Sequence, residues 1–362
     1  MPLHDVGYRP WQGQLRPPAA AIGVIAATGI RLALKSRWLR RAMLLAWSPA
    51  LFFAASFFAF EQAVDEGRVA SLAQRAGHGG NLDGVGILGT VLADAFGRTA
   101  ARPGMSEAER VVATRRLVWT RLLLAFMRAP QAVLLAVVIG LVAPALISGD
   151  LRAKAWLVYF TRPVGRNEYI LGKLATLAAL VAVITVLPAT ALWLAGVLVS
   201  PSILVAVETW DLPLRVVAAS AVLAVPTVLL ALAYSSLTTE SRIASFAWFA
   251  TWAACWIAHS ALTTADLVAA AESPGVSASL AADVPLAAHR RGHWFARAAG
   301  LDDTIDRWAW VSPYHSVGVL QAAIFGVERR PAAVLPSLAS LLALSLASCV
   351  VLAWRVAAPM RA

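Results

Sequence analysis

The chain has 362 residues, of which 59% are hydrophobic and only 14% charged, with a mean hydropathy of +0.69. A soluble globular chain carries roughly a quarter charged residues, so an ordinary soluble domain is the weaker reading. The net charge of +11 follows the distribution of Lys and Arg toward one membrane face, and nucleic acid is a poor partner for it.

Residues 1–18 are polar and hold Pro10, Pro17 and Pro18. Over 18–41, apolar residues mix with Arg31, Lys35, Arg37, Arg40 and Arg41. This stretch is either a basic interfacial helix at the lipid headgroups or the basic flank of the first span. No cleavable signal is expected, because the first apolar window follows this long mixed region rather than a short basic start. Apolar windows of a length to cross a bilayer predict six spans, at 42–60, 131–147, 171–199, 214–237, 243–262 and 331–354. Pro188 and Pro226 fall inside the third and fourth, where kinks are expected.

Two long polar segments, 61–116 and 264–331, interrupt the spans. In the first, Ser106-Glu-Ala-Glu109 has capping-box spacing and predicts a helix start. Gly84-Val-Gly-Ile-Leu-Gly89 matches a dinucleotide fingerprint by letters only. That motif needs a βαβ unit around it, and between membrane helices it is a decoy. Cys255 and Cys349 lie in apolar runs and read as small hydrophobes rather than a disulfide.

Six spans put both termini on one side. All three lysines (Lys35, Lys154, Lys173) fall in the pieces 1–41, 148–173, 238–242 and 355–362, which orients these to the cytoplasm. Arg115, Arg116, Arg121 and Arg128 before the second span argue the other way.

The polar island 148–173 is far longer than a simple connection requires. Asp150 or Ser148 can cap a helix opening at Leu151, and Asp150 to Lys154 is the favourable i,i+4 order. Pro163 ends that helix by pushing Arg162 toward extended geometry, and Asn167 can cap a second helix. The island is either a docking surface for a cytoplasmic partner or an interfacial loop held at anionic lipid.

Asp150, Arg162-Pro163-Val164 and Glu168-Tyr169-Ile170-Leu171-Gly172-Lys173 resemble the first cytoplasmic loop of type-2 ABC exporter permeases. Trp310-Val-Ser-Pro-Tyr-His315 before the last span is similar to a Ser-Pro-aromatic step of that family. The resemblance implies an all-α membrane protein with six transmembrane helices in 42–354, an N-terminal interfacial connecting helix within 1–41, a cytoplasmic coupling helix at 151–160, two long extracytoplasmic segments, short helices at 308–325 and a cytoplasmic tail at 355–362. It implies a permease with no ATP site and no cofactor of its own; ATP and Mg would sit on a separate nucleotide-binding ATPase subunit. Asp150, Arg152, Lys154, Arg162, Pro163, Arg166, Glu168, Tyr169 and Lys173 would form the contact with that subunit. A second permease copy or paralogue completes the transporter, in contact with membrane lipid, and the long outer segments leave room for an extracytoplasmic partner. Abundant Ala and an excess of Arg over Lys suit a bacterium with a GC-rich genome, hence its cytoplasmic (inner) membrane. The rival reading is a non-transporting scaffold that recruits a cytoplasmic protein through the same loop.

Other polar clusters carry less. His289 and His293 have a helical ligand spacing but too few neighbouring donors for a structural site, so no metal is expected. His259 either lines a pathway or is hydrated near the interface. Asp302, Asp303 and Asp306 read as a solvated helix start. No nucleophile–base–acid triad and no HExxH is visible, so no catalytic residue is expected.

Overall fold

The computed structural model describes residues 18–68, 86–100, 104, 106–128, 132–155, 165–271 and 306–357. These form helices and turns without a strand. Helix α1 (Pro18–Lys35) breaks at Ser36, whose hydroxyl accepts the Leu39 N–H at 3.4 Å and caps α2 (Arg37–Asp65). The basic segment expected over 18–41 is thus divided, and Arg37, Arg40 and Arg41 open the first spanning helix. Next come α3 (Gly86–Ala100), α4 (Glu107–Phe126), α5 (Ala132–Arg152) and α6 (Arg166–Val199). The chain continues through the single turn α7 (Val205–Glu208), α8 (Asp211–Leu237) and α9 (Ser241–Ala271). A 3-10 turn (Ala309–Val311) leads into α10 (Pro313–Ile324) and α11 (Pro331–Ala357).

Five of these, α2, α5, α6, α8 and α11, are long and apolar enough to cross a membrane. The expected fifth span lies within α9, whose 31 residues reach about 46 Å. Trp248, Trp252, Trp256 and His259 lower its hydropathy, and it stands outside that set. Helix α8 is central, with 61% of its most apolar window buried, against 17% for α11, which turns most of its surface outward.

Two cores stack along the helix axes. The proximal core, at the end carrying Asp150 and Lys173, joins the start of α2 to α5, the first half of α6, the second half of α8, Trp248 and α11. The distal core joins the second half of α2 to α3, α4, the end of α6 and the start of α8. Helix α4 opens with the expected capping box: the Ser106 N–H donates to Glu109 Oε2 at 2.9 Å, and Ser106 Oγ accepts from the Glu109 N–H at 3.3 Å. It then runs into the core, with Leu122 to Met127 fully buried. Trp119 meets Phe57 edge-on, with ring centroids 5.3 Å apart, and Phe126 meets Phe53 likewise. The polar segment 61–116 therefore leads into a packed helix that hydropathy alone did not reveal.

Pro144 lacks the N–H that would bond Gly140 in α5, and Ser245 Oγ of α9 donates to the Gly140 carbonyl instead, at 3.2 Å. One turn on, Ser235 Oγ of α8 accepts the Ile147 and Ser148 N–H groups at 3.0 and 3.1 Å and donates to the Pro144 carbonyl at 2.8 Å. Neighbouring helices thus satisfy backbone groups that hydrocarbon would leave unpaired.

Candidate functional site

The 148–173 region is positioned by the end of α5 and the start of α6. Helix α5 does not end before Leu151 as the sequence suggested. It runs through Arg152 and closes in a Schellman arrangement: the Ala155 N–H donates to the Asp150 carbonyl at 2.9 Å and the Lys154 N–H to the Leu151 carbonyl at 3.2 Å. Lys154 itself takes the left-handed conformation, with φ of 50°. Ser148 and Asp150 are therefore helical rather than caps; the Ser148 hydroxyl turns back to the Pro144 carbonyl. Residues 156–164, which hold the second half of the expected coupling helix and, after it, Arg162 and Pro163, lie outside the described residues. Helix α6 starts at Arg166 behind Gly165, and no side chain, Asn167 included, caps it.

Asp150, freed from a capping role, joins the two helices. Its Oδ2 accepts the Tyr169 hydroxyl at 2.8 Å and pairs with Lys173 Nζ at 2.7 Å. Lys173 therefore takes the place expected for Lys154. Its ammonium also lies 5.4 Å from the Tyr169 ring centroid, a cation–π contact. Tyr169 and Lys173 are buried, whereas Arg152, Lys154 and Arg166 are exposed and Glu168 is intermediate. Of the nine residues expected at the contact, three thus form an internal tie and three present cationic groups around it.

Gly172, between Tyr169 and Lys173, admits α1. A Cβ placed there would come within 2.7 Å of Ile25, and one on Gly29 within 2.6 Å of Thr176. Helix α1 is therefore laid directly on the first turns of α6.

At the distal end, His259 is 3% exposed, and its Nε2 lies 2.8 Å from Asp306 Oδ2. The reading of Asp306 as a solvated helix start is corrected, although it does accept the Trp308 N–H at 3.3 Å. Burial alone would push the Asp306 carboxyl up, but the His259 hydrogen bond and the nearby charges of His259 and His315 together hold it below its ordinary value of 3.8. His259, Asp306 and His315 have ligand atoms within 4.8 Å of one another. The two imidazoles stack at 3.5 Å with planes 16° apart, so their in-plane lone pairs do not converge on one ion. As arranged, the group is a hydrogen-bonded lock between α9 and the approach to α10. His289, His293, Asp302 and Asp303 lie outside the described residues.

The arginines that opposed the orientation argument have local partners. Arg115 pairs with Glu61 at 3.1 Å, Arg116 with Asp211 at 2.8 Å and Arg121 with Asp94 at 3.4 Å. The backbone carbonyl of Arg128 accepts the Tyr314 hydroxyl at 3.2 Å. No sequence motif marked these pairs, which are 54 and more residues apart for Arg115 and Arg116.

A bundle of apolar, outward-facing helices with a polar tie at one end defines a multi-pass membrane protein. Residues 31–356 match the family model described as ABC-2 family transporter protein, and the chain belongs to that family. It is thus an ABC-type permease, the membrane component of a transporter and not itself the catalytic one. Comparison with curated proteins gave no match.

Proposed function

We propose that this chain is the permease subunit of an ATP-driven exporter in which a separate nucleotide-binding ATPase docks on the 148–173 loop. The observation that carries this reading is the Asp150–Tyr169–Lys173 tie. It binds the last turn of α5 to the first turns of α6, so a push on the loop moves two spans and, through the Gly172 contact, α1. ATP and Mg belong to the partner. Six spans, with α9 as the fifth, place both termini in the cytoplasm and the distal end outside. Two permeases surround the transport route, and closure of the paired ATPases rocks their helices between inward and outward access.

The test is co-purification from native membranes in gentle detergent. Charge reversal at Arg152 and Arg166, both exposed, is expected to release a stoichiometric ATPase while the permease stays inserted. Retention of the ATPase by the reversed protein would refute docking through these residues. Recovery of a stoichiometric partner without ATPase motifs would favour the scaffold.

A further inference from the structure

The connection from α6 to α8, which includes the single turn α7, shows its apolar side outward. Ile203, Leu204, Val207 and Trp210 are 79%, 65%, 70% and 63% exposed. The polar members turn inward. Thr209 is buried and its hydroxyl accepts the Trp193 indole N–H at 3.0 Å, while Glu208 reaches Arg115 at 3.8 Å. A turn that meets water has the reverse arrangement, because large apolar groups gathered on a wet surface are unfavourable. The backbone of the turn is bonded internally. The N–H groups from Leu204 to Thr209, six in succession, all donate to oxygens of residues 202–205, at 2.9 to 3.3 Å. Such internal pairing is what lipid requires of a segment outside the long helices. The outward apolar face also continues on both sides. Leu194 and Leu198 are exposed at the end of α6, and Leu214 and Val217 follow Trp210 at helical spacing in α8.

We propose that residues 203–210 are seated in the bilayer interface, with Ile203, Leu204, Val207 and Trp210 against lipid. The occupant of this surface is lipid rather than a protein partner, because the patch is continuous with the outward faces of two spanning helices. Trp210 suits the level where acyl chains meet headgroups, since its ring is apolar and its N–H is not. Lipid then bears directly on the distal core: Val205 of the same turn is buried in it, and the Glu208 carbonyl accepts Arg116 of α4 at 3.0 Å. The inference uses only the chain's place in a membrane and is independent of ATP-driven transport.

The test is spin-label accessibility in full-length protein reconstituted into phosphatidylcholine vesicles, with Cys255 and Cys349 first replaced by Ala. Single labels are placed at Ile203→Cys and Val207→Cys. Leu187→Cys, within α6, is the lipid reference, and Glu66→Cys, at the end of α2, is the water reference. All four positions are exposed, so the labels leave the packing intact. Relaxation is measured with oxygen, which concentrates in hydrocarbon, and with a neutral nickel chelate, which stays in water. At both sites the oxygen-to-nickel ratio is expected to lie closer to that of Leu187→Cys than to that of Glu66→Cys. A ratio closer to the water reference at either site overturns the proposal. Loss of collisions with both reagents would place the turn beneath protein, and overturns it equally.

Discussion

Asp150 gives the sharpest lesson at the scale of single residues. Its place after an apolar run and its spacing to Lys154 suited a cap and a local ion pair. In three dimensions the carboxylate serves a tyrosine 19 residues away and the lysine four residues beyond it. Removing one member of this half-buried pair strands the other, at about 2 kcal/mol. Asp150→Asn and Lys173→Gln are therefore each expected to lower thermal stability, and the double variant to lose less than their sum, by about 1 kcal/mol or more. Additive losses in the melting temperatures would show that the two side chains act separately. Asp306 carries a pH dependence. Its carboxyl is depressed in the fold, so its stabilisation is complete above the ordinary carboxyl value and is lost as pH falls through the lower folded value. Asp306→Asn is expected to flatten this acid limb in thermal unfolding while leaving neutral-pH insertion intact.

Elements were legible where one physical signal governs them. The apolar windows located α2, α5, α6, α8 and α11, because hydrocarbon thickness sets both length and composition. The Ser106–Glu109 capping box located the start of α4 because its bonds are local. The burial of α4 was not legible: Arg115, Arg116 and Arg121 depress its hydropathy, and the acids that balance them come from other helices. The end of α5 was misjudged for a different reason, since Lys154 in the left-handed region has no sequence mark where glycine is usual. Lys154→Gly is expected to stabilise this terminus by about 1 kcal/mol, read as slower proteolysis of the loop. A β-branched side chain at Gly172 would meet Ile25. Gly172→Val is expected to push α1 off α6 and abolish a disulfide cross-link engineered between those helices, and Ile25→Ala is expected to restore it by making room.

At the scale of the whole molecule, the two cores give the ends different characters. The proximal end combines the Asp150 tie with exposed arginines, while the distal end gathers paired acids and arginines. In the proposed orientation, single cysteines at Gly67 and Gly165 label from opposite sides of sealed membranes, the first from outside. Labelling of both from one side would overturn the six-span arrangement. The resemblance carried by Asp150 and the Tyr169–Lys173 stretch led to the right family, because those residues are close in sequence as well as in space. The distal pairs had no such signature, since their members come from separate parts of the chain.

The pairing of Arg116 with Asp211, 95 residues later, also fixes an order of assembly. As the polypeptide leaves the ribosome, α4 emerges with its guanidinium groups well before the acid at the head of α8 has been made. Glu61 and Asp94 are already present to receive Arg115 and Arg121, but the third arginine has no carboxylate until the third long apolar helix has been threaded. The distal core, to which Leu212, Val216 and Ala219 of α8 belong, is complete only after α8 arrives, and a nascent chain stopped before Asp211 is expected to hold α4 less firmly than the finished protein does.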